Sequence, residues 1–252
     1  MRILITNDDG IDAPGLVALE RELLKSGASV VVVAPDSERS AASHSVSLRK
    51  PVKIEERGPE RWAVSGTPVD TVNLAVNHLI RDKKPDMVIS GVNRGANLGC
   101  DIHYSGTVAA AREACLLGLP AAAVSLETTR EDADFGPSAR FAVTLANMMG
   151  ENNLPPRTLL NANLPDIPEE EMAGVMITVM GIRKYTDTID VHNDDNGDSY
   201  YTIGGPPLGG EPIPGSDIEA VKNGYISVTP LRLDYTNDCV LDWLRERMGG
   251  ES

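Results

Sequence analysis

A chain of 252 residues is long enough for one large domain, or for a domain with a smaller appendage, and folding at that length buries roughly 70–75% of its surface. Apolar residues make up 41% of it and charged residues 24%, while aromatics reach only 4%, so the core falls to Val, Ile, Leu and Ala. The formal charge of −14, from 23 basic and 37 acidic residues, excludes a basic footprint for duplex nucleic acid.

Arg2 to Thr6 reads as a short, mostly apolar strand that opens into Asn7-Asp8-Asp9-Gly10. Pro14 suits a first helical turn. The helix behind it carries Leu16, Leu19, Leu23 and Leu24 on one face and stops near Gly27. Val30 to Val33 is a buried strand by composition, ended by Pro35, which completes a βαβ unit with a parallel sheet. A polar loop, Asp36 to Ser47, follows, and Val52–Glu56 and Trp62–Val64 can pair as a hairpin. Thr67-Pro68-Val69-Asp70 has the N-cap, the proline and the acidic residue of a helix start. Met87 to Ile89 is a third core strand, leading into Ser90-Gly-Val-Asn-Arg-Gly-Ala-Asn-Leu-Gly99 and then Tyr104-Ser-Gly-Thr107 before an Ala-rich helix. Another buried strand, Ala121–Val124, and another helix, Phe141–Met149, complete a doubly wound, mostly parallel Rossmann-like α/β core over residues 1–150.

The character changes beyond Gly150. Leu159–Leu164, Val175–Val179 and Ile226–Thr229 are predicted strands, Gly204–Gly210 an irregular loop, and Cys239–Arg247 a terminal helix. Lys184 to Pro214 is expected to protrude as a hairpin with an acidic tip. The tip's His192–Asp198 run fails as a calcium loop, because aligning Gly197 puts His192 and Ile203 where Asp and Glu are needed. Residues 151–252 thus read as strands, an arm and a terminal helix that follow the core. Cys100, Cys115 and Cys239 lack metal-ligand spacing and read as free thiols in a reducing compartment. No signal segment follows Met1, and no apolar run nears the roughly 18 residues of a membrane span, so a cytoplasmic protein with no membrane partner is expected.

In an open parallel sheet, ligands bind outside the carboxyl ends of the strands, where the winding reverses. Three segments meet there: Asp8 and Asp9 after the first strand, the loop bearing Ser40 and His44 after the second, and Asn93 and Asn97 after the third. Two carboxylates with hydroxyl and amide oxygens suit Mg²⁺, Mn²⁺ or Ca²⁺ better than Zn²⁺. Adjacent carboxylates repel, and a divalent cation relieves the repulsion. Either aspartate is equally able to cap the next helix. Ser105, Gly106 and Thr107 open a helix whose free N–H groups can seat a phosphate without a lysine, or Ser105 is simply its N-cap. His44 reads as a substrate-loop contact or as a solvated loop histidine. No Walker A lysine, Gly-x-Ser-x-Gly elbow or Gly-x-Gly-x-x-Gly fingerprint is present.

These segments, with Ala34-Pro-Asp-Ser-Glu-Arg-Ser40, Gly66-Thr-Pro-Val-Asp70, Tyr200-Tyr201, Ile203-Gly204-Gly205 and Gly224-Tyr-Ile-Ser-Val-Thr-Pro230, resemble the SurE (survival protein E) nucleotidases over nearly the whole chain. The resemblance implies hydrolysis of nucleoside 5′- and 3′-monophosphates with one divalent cation, Mg²⁺ or Mn²⁺, per subunit. By that similarity Asp8, Asp9, Ser40 and Asn93 would hold the metal, and Asn97 with Ser105, Gly106 and Thr107 the phosphate. Asp8, Asp9 and Asn97 would serve the chemistry, by direct attack of water. A homodimer or homotetramer formed through the C-terminal hairpin is implied as well. Two other readings stand beside it: a non-catalytic nucleotide sensor, and a phosphatase mainly of other phosphoesters or short polyphosphates.

Overall fold

The first strand, β1 (Arg2–Thr6), is buried along its whole length, and its alternation shows why. Ile3 and Ile5 face one helical layer and Leu4 the other. A strand with both faces covered is a central strand of an α/β sandwich. The computed structural model describes residues 1–151, 154–185, 188–194, 196–204, 207–211 and 213–249.

After β1 come α1 (Pro14–Lys25), β2 (Ser29–Pro35), the edge hairpin β3 (Ile54–Gly58) and β4 (Arg61–Val64), then α2 (Pro68–Leu74), which runs on as a wider helical turn over Ala75–Leu79. Thr67 and Asp70 cap α2 reciprocally: the Asp70 amide donates to the threonine hydroxyl at 3.1 Å, and the Thr67 amide to the Asp70 carboxylate at 2.8 Å. The chain continues through β5 (Met87–Arg94), α3 (Gly106–Leu116), β6 (Ala121–Glu127), α4 (Gly136–Glu151) and β7 (Thr158–Pro165). Its last third supplies β8 (Val175–Ile177), β9 (Arg183–Tyr185), β10 (Thr188–Asn193), β11 (Ser199–Gly204), β12 (Pro207–Gly210), α5 (Asp217–Lys222), β13 (Ile226–Arg232) and α6 (Asp238–Met248).

Nine strands form one sheet in the order β3-β4-β2-β1-β5-β6-β7-β13-β8. The segment from β4 through β2, β1, β5 and β6 to β7 is parallel, with β3 and β13 antiparallel to their inner neighbours. Helices α1 and α4 cover one face through Leu16, Leu19, Leu23, Ala142 and Leu145. On the other, α2 and α3 pack through Val72, Val108, Ala110 and Ala111. Ile3 pairs with Val30 of β2 on one side and with Met87 of β5 on the other. The chain winds outward from β1 to β2, then returns to build on β1's other edge with β5, so the switch point lies between β1 and β5. The sheet carries on past residue 150 into β7, β13 and β8.

The hairpin arm is β10 paired antiparallel with β11, Ile189 opposite Ile203 and Val191 opposite Tyr201. Ile189, Val191, Tyr200 and Tyr201 are all exposed on it, and α6 buries none of its residues. At the tip the Asp194 carboxylate accepts the amides of Asn196 and Asp198 at 3.0 and 2.9 Å, a self-contained turn. The three cysteines are unpaired.

One expectation needs correction. The Gly204–Gly210 run, read as an irregular loop, contains β12, which pairs with β9 around a register shift between Pro207 and Gly209. Backbone hydrogen bonds suffice for such a ribbon, so its side chains carry no alternating pattern; residues 205 and 206 lie outside the described residues. Helix α5 has no full apolar period in its six residues. Its start was nonetheless encoded, since Ser216 caps the Glu219 amide at 3.3 Å and Glu219 returns a bond to the Gly215 amide at 2.7 Å.

Gly15 sets how closely α1 crosses β5: a Cβ there would lie 1.9 Å from the Val92 carbonyl oxygen. Gly15→Ala is expected to lower stability by about 1–3 kcal/mol, through overpacking against backbone that has nowhere to move. The midpoint of urea unfolding, at unchanged slope, measures it.

Candidate active site

The turn after β1 is built by Asn7. Its side-chain amide donates to the Gly10 carbonyl at 2.9 Å, and its oxygen accepts the Gly10 amide at 3.2 Å. Gly10 adopts φ 109°, which a side chain would resist. This clasp ends the strand and leaves Asp8 and Asp9 at its carboxyl edge.

Asp8 is buried against the first turn of α3, where it accepts a short hydrogen bond from the Thr107 hydroxyl. The approach requires Gly106, because a Cβ there would lie 2.8 Å from the aspartate's Cβ and Oδ2. The Thr107 hydroxyl also lies 3.3 Å from Oδ1 of Asn93. Asn93 is oriented from behind, its NH₂ donating to the Gly95 carbonyl at 2.7 Å, so the amide oxygen is the atom turned toward Thr107 and Asp8. Asp9 accepts the Arg94 amide at 3.1 Å. The carbonyl of Asp8 accepts the Arg39 amide at 2.7 Å, tying the end of β1 to the loop after β2. On that loop Ser40 is exposed and donates a short bond to Glu38.

Asp8, Asp9, Ser40, Asn93, Asn97 and Ser105 line one cleft of about 590 Å³, while Gly106 and Thr107 stand behind its wall against Asp8. Asn97 is buried and braced by residues the sequence reading passed over. Its backbone amide donates to Asn163 at 2.7 Å, its carbonyl accepts from Asn161 at 2.8 Å, and its side-chain amide donates to Ser125 at 2.8 Å. The signal was present: Asn161 and Asn163 are polar residues on one face of an otherwise apolar buried strand, and buried amides occur where they are bonded. Ser105 caps α3, accepting the Val108 amide at 3.0 Å. Tyr104, beside it, is 66% exposed at the mouth. His44 does not line the cleft; its Nε2 lies 3.1 Å from Glu113 on α3.

Electrostatics decide what the cleft can accept. It is lined by four carboxylates, Asp8, Asp9, Glu38 and Asp101, and one guanidinium, Arg94. Burial pushes the Asp8 carboxyl above its ordinary range, partly offset by the Thr107 hydroxyl and the amides at the start of α3. Burial first and the Asp8 charge second push Asp9 up to about 6. Among the described residues neither carboxylate forms an ion pair, and the Arg94 charge offsets the rise at Asp9 only in part. Among the described residues no three His, Cys, Asp or Glu side chains gather as a ligand cluster. The oxygens this cleft offers, the two carboxylates, the Asn93 amide oxygen and the Ser40 hydroxyl, are all hard and would suit a cation such as Mg²⁺ or Mn²⁺ better than a soft metal.

A parallel doubly wound sheet with such an oxygen-donor cleft at its switch point defines a class, the Rossmann-like α/β proteins that hold a small ligand at the carboxyl edge of the sheet. Comparison narrows it. The family model described as Survival protein SurE matches residues 3–187. Proteins named 5′-nucleotidase SurE from Geobacter metallireducens and Geobacter sulfurreducens are 47% and 49% identical over 245 residues, covering 97% of this chain and 96% and 93% of theirs. The crystal structure of the SurE protein from Aquifex aeolicus is 40% identical and superposes with a TM-score of 0.87, over 98% of this chain and 100% of that one. The chain belongs to the SurE family.

The raised Asp9 carboxyl has a consequence for the metal-free protein. A group whose pKa is higher folded than unfolded stabilises the fold below its unfolded value and loses that contribution as pH rises through the folded one. For Asp9 the window runs from about 4 to about 6. In chelator, Asp9→Asn is expected to melt above wild type at pH 7, with the difference closing as pH falls below that window; calorimetry across pH measures it.

Proposed function

We propose that the chain hydrolyses nucleoside 5′- and 3′-monophosphates by direct attack of water on the phosphoester, with one Mg²⁺ or Mn²⁺ per subunit. Membership in the SurE family and the 5′-nucleotidase names of its relatives support the phosphomonoesterase class. The observation that carries the reading is the convergence of Asp8, Thr107 and Asn93 at the switch point, beside a helix N-terminus.

Asp8, Asp9, Ser40 and Asn93 would hold the cation, which supplies charge neutralisation and Lewis-acid polarisation of the phosphoryl group. A phosphate entering a wall with four carboxylates and one arginine meets net repulsion, so this charge balance also favours a monoester over a polyphosphate. Asn97, braced on β6 and β7, offers its second amide N–H to the phosphate. Ser105, Gly106 and Thr107 present the positive end of α3 to it. Asp9, less buried than Asp8, orients the attacking water. No covalent intermediate is needed.

Residues 1–150 would carry the chemistry and residues 151–252 the assembly. The exposed apolar side chains of the hairpin and the unburied α6 support a homodimer or homotetramer. Among the described residues no helix is long and apolar enough to cross a membrane, and we place the protein in the cytoplasm.

The test is phosphate release from AMP, 3′-AMP, sugar phosphates and tripolyphosphate, with and without chelator. Nucleoside monophosphates are expected to turn over fastest, chelator to abolish the reaction, and Mg²⁺ or Mn²⁺ to restore it. Asp8→Asn should cut turnover by about 100-fold or more. Tight nucleotide binding with no phosphate released under any metal would instead make the protein a sensor.

A further inference from the structure

Glu113 is a buried carboxylate on α3, a helix whose buried face is otherwise mostly alanine. A buried charge is costly unless it is paired and hydrogen-bonded, and alanine would pack here without that cost. Both carboxylate oxygens are engaged: Oε2 lies 3.1 Å from Nε2 of His44, and Oε1 accepts from the Asn73 amide at 3.0 Å. The bond to His44, and after it the one to Asn73, hold the Glu113 carboxyl below its ordinary range against its burial. The other ring nitrogen of His44, Nδ1, is buried with no partner among the described residues. Glu113 is thus the one hydrogen-bonded anchor of this ring.

His44 lies just beyond Ser40 in the loop after β2. Between them the backbone is strained, with Ala41 at φ 54° and Ser43 at φ 52°. Non-glycine residues hold such angles only where surrounding bonds over-determine them. Elsewhere the loop is held from the end of β1 by the Asp8 carbonyl and from the start of α2 by Thr67 and Asp70, but around these two residues the bonds lead toward α3. The Ser43 amide donates to the Tyr104 carbonyl at 3.0 Å, and its hydroxyl to the His103 carbonyl at 2.6 Å, both just ahead of α3. His44 then reaches Glu113, two turns further along α3. The same helix holds Asp8 through Thr107.

We infer that His44 and Glu113 are positioning residues: they fix the strained loop 36–47 against α3 and so present the Ser40 hydroxyl to the cleft in register with Asp8. The inference rests on the proposed assignment of Ser40 as a cation ligand. Neither residue lines the cleft. Their effect passes through the loop alone.

The test is calorimetric Mn²⁺ binding to the full chain without substrate, for His44→Ala, Glu113→Ala and Glu113→Gln, each with Ser40 intact and with Ser40→Ala. Both alanine variants are expected to weaken Mn²⁺ binding by about 10–100-fold. Glu113→Gln, which keeps an acceptor for His44, should recover most of that loss. In the Ser40→Ala background, His44→Ala should add no further loss, because the group it positions is gone. Wild-type affinity in His44→Ala, or the same fold-loss in both backgrounds, overturns the inference. His44→Leu fills the ring's volume without a donor; it carries the same expectation if circular dichroism shows that the alanine variants do not fold. Absence of Mn²⁺ binding by the wild type removes the Ser40 assignment itself, and the inference with it, which binding by the wild type alone does not.

Discussion

The buried bond between the Thr107 hydroxyl and the Asp8 carboxylate joins the end of β1 to the start of α3, two elements 99 residues apart in the chain. A carboxylate taken out of water needs donors in place, and the N-terminal turn of a helix has them to spare. Asp8 comes close enough to use them because residue 106 is glycine, and α3 lies close to the sheet because Ala109, Ala110, Ala111 and Ala114 stand among its buried residues. The geometry then propagates outward. Asn93 is oriented against the same hydroxyl, Asp9 against the Arg94 amide, and the loop after β2 against the Asp8 carbonyl. Each strand end that contributes to the cleft is thereby referenced to its neighbours by a hydrogen bond.

This frame concentrates negative charge where an anionic substrate is to bind. The cleft repeats locally what the chain shows globally, a formal charge of −14. Such a site is raised in energy when empty of cations, since burial and mutual repulsion both oppose ionisation of Asp8 and Asp9. A divalent ion held there would lower that energy and would give a phosphate a positive target at the same time. The helix terminus contributes the rest of the positive potential without a side-chain charge. A lysine in place of the ion would neutralise the aspartates permanently and leave less field for the phosphate.

Local chemistry made much of this legible in the sequence. The βαβ start shows in Val30 to Val33 and the leucine stripe of α1, and the reciprocal cap of Thr67 and Asp70 is written in four consecutive residues. That Asp8, Asp9, Ser40 and Asn93 would reach one sheet edge follows from strand order, and the structure brings them to one cleft. What stayed hidden depends on partners distant in the chain. The bond from the Thr107 hydroxyl to Asp8 shows only once β1 is placed beside α3. His44 looks like a loop residue until Glu113, 69 positions on, is seen to hold it. Asn161 and Asn163 serve a loop more than 60 positions earlier. Hydrogen bonds of this range leave no periodicity in either partner's local sequence.

The short helix α5 shows that such distant links also define how the C-terminal third meets the core. Asp217, fully buried at its start, divides its carboxylate between two backbones, accepting the Gly99 amide and the Gly181 amide at 2.8 Å each. Gly99 ends the loop that carries Asn97, and Gly181 stands at the root of the arm. The two glycines pass so closely that a Cβ on Gly99 would lie 2.6 Å from the Gly181 carbonyl oxygen. Beside them Arg183 pairs with Asp101 of the cleft wall at 2.9 Å. A carboxylate bonded on both oxygens and excluded from water is a rigid joint. The root of the arm is therefore fixed to the loop that carries Asn97, through Asp217, and to the cleft wall, through Asp101.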